Sequence, residues 1–173
     1  MFIINFIFSV LLITRFYSLS ISIKNEKNLL QRGATQYGAT NSKILSAAHI
    51  AFYLSAIIEA NVHQIGFDAT AQIGLIIILF ALLMLLVVIR QLKEIWTVKI
   101  YLLPDHQLNR SWLFKYVRHP NYFLNILPEL IGLALFCHAQ YTALIGLPIY
   151  AVILAIRIKQ EEQAMRHLFS QKL

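Results

Sequence analysis

Charge is scarce in this chain and cysteine almost absent. Only 13% of the 173 residues are charged against 58% hydrophobic, and the apolar residues gather in runs too long for the core of a soluble domain. The single cysteine, Cys137, excludes an internal disulfide and a cysteine-rich metal site, and reads as a small apolar packing residue. The six histidines are scattered without paired ligand spacing, so no metal is expected. No internal repeat and no Gly/Ser/Pro-rich linker divides the sequence, which leaves one membrane-embedded domain over residues 1–173.

What is present is hydrophobic length. Residues 69–89 are 21 consecutive residues without a charge, between Asp68 and Arg90. At 1.5 Å per residue they cross roughly 30 Å of hydrocarbon as a helix. Four further runs follow the same logic: 2–23 interrupted by Arg15, 44–61, 121–137 interrupted by Glu129, and 141–157 containing Pro148. The expected fold is therefore an all-α integral membrane protein of about five transmembrane helices. The first run lacks the basic start and the small-residue cleavage pattern of a secretory signal, so it reads as a retained span.

Basic residues give the topology, because Lys and Arg collect on the cytoplasmic side. Lys24, Lys27, Arg32 and Lys43 fall between the first two runs, and Arg90, Lys93, Lys99, Arg110, Lys115 and Arg118 between the third and fourth. Lys159, Arg166 and Lys172 follow the fifth, while residues 62–68 and 138–140 contain no Lys or Arg. That pattern predicts an external N-terminus and a cytoplasmic C-terminus. The net charge of +7 then reflects residues facing anionic lipid; no soluble nucleic-acid module fits beside five spans.

Two cytoplasmic connections carry structure of their own. Residues 24–43, with Gly33 and Gly38, suit a short helix and a turn over the membrane face. Residues 90–119 predict an extension of the third helix to about Trp96, an extended piece at 99–103 and a turn at Pro104-Asp105. A short helix over 111–117 completes a connection long enough to form a lid. A helical extension of the fifth span should reach about Phe169.

The chemistry concentrates after Arg118-His119-Pro120-Asn121-Tyr122. Pro120 fits the first turn of a helix on which Asn121, Asn125 and Glu129 recur every four residues and share a face. Glu129 lies roughly 13 Å beyond Pro120, near mid-bilayer. An ionised carboxylate there costs roughly 2.5–3.5 kcal/mol unless it is protonated, paired or turned to a wet cavity. Arg15, at a similar depth on the first span, is its candidate partner, either as a structural ion pair or as part of a pocket. Pro128 removes one backbone donor beside Glu129 and is expected to kink the helix. On the fifth span Arg157 and Glu161 are four apart and can pair, an arrangement that alone would be an ordinary helix end.

Together, Arg118-His119-Pro120-Asn121-Tyr122, the following Glu129 and Arg157-Ile158-Lys159-Gln160-Glu161-Glu162 resemble the C-terminal signature of the isoprenylcysteine carboxyl methyltransferase family. The front half resembles its small bacterial members through Arg15, Lys24-Asn25-Glu26, Gly33-Ala34, Tyr37-Gly38 and His49. The resemblance implies a membrane methyltransferase using S-adenosylmethionine without a soluble dinucleotide-type domain, and no Gly-x-Gly-x-x-Gly occurs here. It implies catalytic roles for Arg157, Glu129 and Arg118 and cofactor contacts for His119, Tyr122, Glu161, Glu162 and Asn121. Within that set, His119 and Glu161 are the expected cofactor contacts, Arg157 positions the acceptor, and Glu129 shapes the pocket. His119 has the simpler alternative of a hydrogen bond at the start of the helix. The chain departs from similar sequences at Trp112-Leu113-Phe114, where Gly-Pro-Tyr is common, at Ser18 and at Met165.

Methyl transfer from a sulfonium is an in-line displacement, so the protein must align donor and nucleophile and stabilise the nucleophile's charge. The expected acceptor is a lipophilic small molecule bearing a carboxylate or hydroxyl, reached from within the bilayer. Two other readings fit parts of the sequence: an NADPH-dependent sterol-type membrane reductase, which shares an Arg-His-Pro-Asn-Tyr-like stretch, and a non-enzymatic membrane protein.

Overall fold

A computed structural model of the chain describes residues 1–104 and 111–166. Its elements are α1 (Phe2–Gln31), β1 (Thr35–Tyr37), α2 (Ala39–Val62), α3 (Ala69–Leu92), a 3₁₀ turn (Lys93–Ile95), β2 (Ile100–Leu102) and α4 (Trp112–Tyr116). A π-helical segment (Asn121–Ile126), α5 (Leu127–Phe136) and α6 (Gln140–Ala164) complete the chain.

Four helices, α1, α2, α3 with its 3₁₀ turn, and α6, are long and apolar enough to cross a membrane. The fifth apolar helix, Asn121–Phe136, is shorter, so the expected count of five is approximate. The surface confirms the membrane setting: Phe6, Ile13, Leu79, Leu83, Leu144 and Val152 all face outward. In water such a surface would be a large unpaid hydrophobic exposure; in lipid it is solvated.

Lipid tails are as apolar as the side chains they touch, so helix contact depends on packing rather than water exclusion. α3 and α5 meet through Gly74 and Gly132, each lying against the other's backbone. Ala56, Ala60, Ala71 and Ala81 are fully buried along the same interior. The helix ends remote from the basic residues are closed by acids. Asp68 caps α3, accepting from the Ala71 amide at 2.9 Å. The Glu59 carboxylate accepts from the Tyr141 and Thr142 amides at 3.0 Å each, satisfying donors at the start of α6 that the helix itself cannot pair.

At the basic end, the two connections pair with each other. β1 and β2 form an antiparallel ribbon with Gln36 opposite Tyr101, a pairing that the short helix and turn expected within residues 24–43 do not include. Instead α1 runs unbroken to Gln31 and turns at Gly33, whose φ of +80° suits a residue without a side chain. The extended piece at 99–103 and the helix after residue 111 are observed; Asp105 and Arg110 lie outside the described residues, as does the end of the α6 extension toward Phe169. α6 is continuous to Ala164.

The polar face of α1 holds this connection down. Asn25 donates to the carbonyls of Lys93 (2.9 Å) and Trp96 (2.8 Å), and Ser22 accepts from the Val98 amide at 2.9 Å. Glu26 accepts from Lys99 and from the Tyr101 hydroxyl, both at 2.6 Å. Burial and that bond push the Tyr101 phenol up to about 12.

A Cβ at Gly74 would meet the Gly132 carbonyl oxygen at 2.6 Å and the Phe136 Cα at 2.8 Å, whereas one at Gly66 meets nothing within 4 Å. Gly74→Ala should lower stability by about 1–3 kcal/mol through overpacking. Gly66→Ala should leave it nearly unchanged; equal thermal midpoints for the two variants in detergent would contradict this packing.

Candidate functional site

The buried polar groups fall into two clusters. The deeper one is built on the shared face of Asn121, Asn125 and Glu129. Pro128 has no amide hydrogen, so the turn leading into it cannot close a full α-helical ladder, and the chain takes the wider π form just before the regular helix starts at Leu127. Asn125 then donates to Asn121 Oδ1 at 3.1 Å, and Glu129 is 1% exposed.

Arg15 from α1 meets this face as expected. Its Nε donates to Glu129 Oε1, its Nη2 lies against Glu129 Oε2, and Nη2 also donates to Asn125 Oδ1 at 3.0 Å. The Tyr53 hydroxyl of α2 donates to the same carboxylate. His49 stacks on Tyr53 with ring centroids 5.0 Å apart, places Nε2 4.0 Å from Glu129 Oε2, and sets Nδ1 3.2 Å from the Tyr150 hydroxyl. A buried carboxylate is thus matched by a guanidinium and a phenol donor, the condition for holding charge at this depth.

The second cluster lies at the basic end, where α5 begins and α6 emerges. Arg157 is 2% exposed and spends its donors on three elements: Nη1 to Ser42 Oγ at 2.5 Å, Nη2 to the Val98 carbonyl at 2.7 Å, and Nε to the Tyr122 hydroxyl at 3.3 Å. The Tyr122 hydroxyl donates in turn to Glu161 Oε2 at 2.5 Å. The direct Arg157–Glu161 pair read from the sequence is therefore replaced by a link through Tyr122. Spacing on one helix shows which residues can meet, but not a ring from another helix standing between them.

His119 stacks on Tyr122, ring centroids 5.8 Å apart, with Nδ1 3.6 Å from Glu161 Oε1 and Nε2 3.3 Å from Glu162 Oε1. Arg118 Nη1 is 3.4 Å from the same Glu162 oxygen. Burial alone would lower the His119 pKa, but the carboxylates of Glu161 and Glu162 outweigh it and raise the ring above its ordinary 6.5. Glu161 and Glu162 remain partly exposed at 25% and 38%. The cluster thus offers reachable carboxylates beside cationic groups, a donor set that fits a ligand carrying both an ammonium and a carboxylate.

Of the residues singled out in the sequence, Arg118, His119, Tyr122, Arg157, Glu161 and Glu162 come together here. Glu129 joins the deeper cluster, and Asn121 is tied to it through Asn125. Sequence reasoning missed Ser42, Tyr53, Tyr150 and the Val98 carbonyl; hydroxyls inside apolar helices carry no motif, and a backbone carbonyl carries none at all. The link between the clusters runs along α6, since Tyr150 and Arg157 are seven residues apart, two helical turns on one face.

A model of the isoprenylcysteine carboxyl methyltransferase (ICMT) family matches residues 73–167. The chain belongs to this family. The matched region starts within α3 and contains Arg118, His119, Tyr122, Arg157, Glu161 and Glu162 together with Glu129. The chain is 68% identical over 166 residues to an uncharacterized protein of Haemophilus influenzae (strain ATCC 51907 / DSM 11121 / KW20 / Rd), covering 96% of each. It is 26% identical over 165 residues to the uncharacterized protein YpbQ of Bacillus subtilis (strain 168), covering 91% of this chain and 94% of that one. No solved structure matches. ICMT membership makes the protein a membrane methyltransferase by family, in agreement with its apolar helices.

Two measurements check the site's electrostatics. Glu129→Ala leaves the Arg15 guanidinium buried without its carboxylate and should cost about 3–5 kcal/mol, while Arg15→Met combined with Glu129→Met should cost much less than the two single changes summed. Additive losses in equilibrium unfolding would contradict the pairing. For His119 the folded pKa lies above the unfolded one, so its contribution is complete below about pH 6.5 and disappears as the pH rises through the raised value. The thermal midpoint of the wild type, relative to His119→Asn, should fall over that interval; a gap that widens with pH would contradict the assignment.

Proposed function

We propose that the protein transfers the methyl group of S-adenosylmethionine to an oxygen, carboxylate or hydroxyl, of a lipophilic molecule held in the membrane. The observation that carries this reading is the convergence of His119 and Tyr122, at the start of the π-helical segment, with Arg157, Glu161 and Glu162 of α6 at one end of an otherwise apolar bundle. S-adenosylmethionine, when bound, supplies a methyl group on a sulfonium cation that an oxygen nucleophile can displace.

Glu161 and Glu162 would hold the donor's ammonium and ribose hydroxyls, and Arg118 with His119 its carboxylate. Tyr122 fixes the Glu161 carboxylate, and Arg157, anchored by Ser42 and the Val98 carbonyl, presents positive charge beside the place where the acceptor oxygen carries its negative charge. The ribbon and its connection, pinned on α1 by Ser22 and Asn25, close the end of the bundle. Basic residues gather at this end, which supports a cytoplasmic position beside the water-soluble donor, with the acceptor approaching from the bilayer.

Purified protein in detergent should bind S-adenosylmethionine saturably and NADPH not at all. His119→Ala and Glu161→Ala variants that keep their helicity should bind the donor about tenfold or more weakly, a loss of about 1.4 kcal/mol or more. Binding of NADPH instead would favour a reductase, and binding of neither would favour a non-enzymatic protein. Incubation with labelled donor and lipid extracts should then place label in an apolar product.

A further inference from the structure

The short helix α4 turns its aromatic side outward. Trp112 is 62% exposed and Tyr116 78%, whereas Leu113 between them is 2% exposed. Residues i, i+3 and i+4 share a helical face, so Trp112, Lys115 and Tyr116 form one surface, with the Lys115 ammonium 5.9 Å from the centre of the Tyr116 ring. The buried side fixes where that surface lies. Leu113 packs with Leu85 and Val88 in the last turns of α3 and with Trp96, and Ser111 at the start of α4 donates to Gln91 Oε1 at 2.6 Å. α4 therefore sits level with the end of α3, where the apolar run stops and Arg90 and Lys93 stand exposed beside Glu94. That level is the boundary between hydrocarbon and headgroups.

We propose that Trp112, Lys115 and Tyr116 form a contact surface for anionic lipid, and that this contact holds the entrance of the second cluster in place. Indole and phenol rings have an apolar body and a polar edge, which suits the headgroup region better than either water or hydrocarbon. Lys115, beside the two rings and joined at this level by Arg90 and Lys93, gives the surface the sign that attracts a lipid phosphate. The chain carries the effect inward. α4 closes with the Val117 amide donating to the Leu113 carbonyl at 2.8 Å, and the next two residues are Arg118 and His119, which face Glu162 and Glu161 of α6. A lipid surface that fixes α4 thereby fixes the spacing of these pairs. The lipid contact stands without the methyltransferase reading; its effect on donor affinity rests on that reading.

The test uses the whole chain in bilayers of phosphatidylcholine, alone or mixed in equal parts with phosphatidylglycerol. The chain has two tryptophans, and Trp96 is 3% exposed, so the emission of the wild type minus that of Trp112→Phe reports the surface indole. Bromines on the lipid chains near the headgroup should quench this difference more than bromines near the chain ends. The gain in S-adenosylmethionine affinity on adding phosphatidylglycerol should be about fivefold larger in the wild type than in the double variant Trp112→Ala, Lys115→Gln, about what one basic residue supplies at an anionic surface. Enrichment of the cationic donor at that surface is common to both proteins and cancels. Both positions are exposed, so the double variant should keep the wild-type thermal midpoint. Equal gains in the two proteins overturn the inference, as does unquenched Trp112 emission at the wavelength of indole in water. Blue-shifted emission shielded from every brominated lipid overturns it too, because a second copy or another protein then covers the face. Preserved quenching with no donor binding in any bilayer overturns the methyltransferase reading and leaves the lipid contact standing.

Discussion

The buried pairing of Arg15 with Glu129 constrains everything around it. In hydrocarbon neither charge has water to turn to, so each must find its full complement of partners inside the protein. Meeting that demand draws α1 against α5, brings Tyr53 of α2 to the same carboxylate, and orients Asn125 and then Asn121 along the π-helical segment. Pro128 and the π-helical segment belong to the same solution, because the side chains at 125 and 129 reach a common partner, Arg15 of α1, while Asn121 holds Asn125.

The basic end is organised differently, around one buried cation whose partners come from three places in the chain. Arg157 binds Ser42, Val98 and Tyr122, and Val98 is itself held through its amide by Ser22. A single guanidinium thereby ties the start of α2, the connection after α3 and the entrance of α5 to the end of α6. Its planar set of five donors suits that task, which a lysine could not perform. Glu161 and Glu162 stand beyond this anchor, partly exposed, at the mouth of the arrangement.

Much of this was legible in the amino-acid order. Hydrophobic length identified the spans, the four-residue spacing put Asn125 beside Glu129, and depth alone matched Arg15 to that carboxylate. The strand at Thr35–Tyr37 was not legible, because three residues between a long helix and Gly38 carry no alternation, and its partner lies about 65 residues away. The Tyr122 bridge between Arg157 and Glu161 was hidden for a related reason: local spacing describes one helix, whereas the hydroxyl that separates the two charges belongs to another. Tyr53 and Tyr150 look like ordinary membrane aromatics until the fold sets their hydroxyls beside Glu129 and His49.

The central claim is that the polar mouth formed by the start of α5 and the end of α6 is the seat of the methyl donor. The most direct measurement is an experimental structure of the protein with S-adenosylhomocysteine. The account predicts density for the nucleoside amino acid against His119, Glu161 and Glu162, its sulfur turned toward the interior and Arg157. Density at the opposite end of the bundle, beside Glu59 and Asp68, would contradict it.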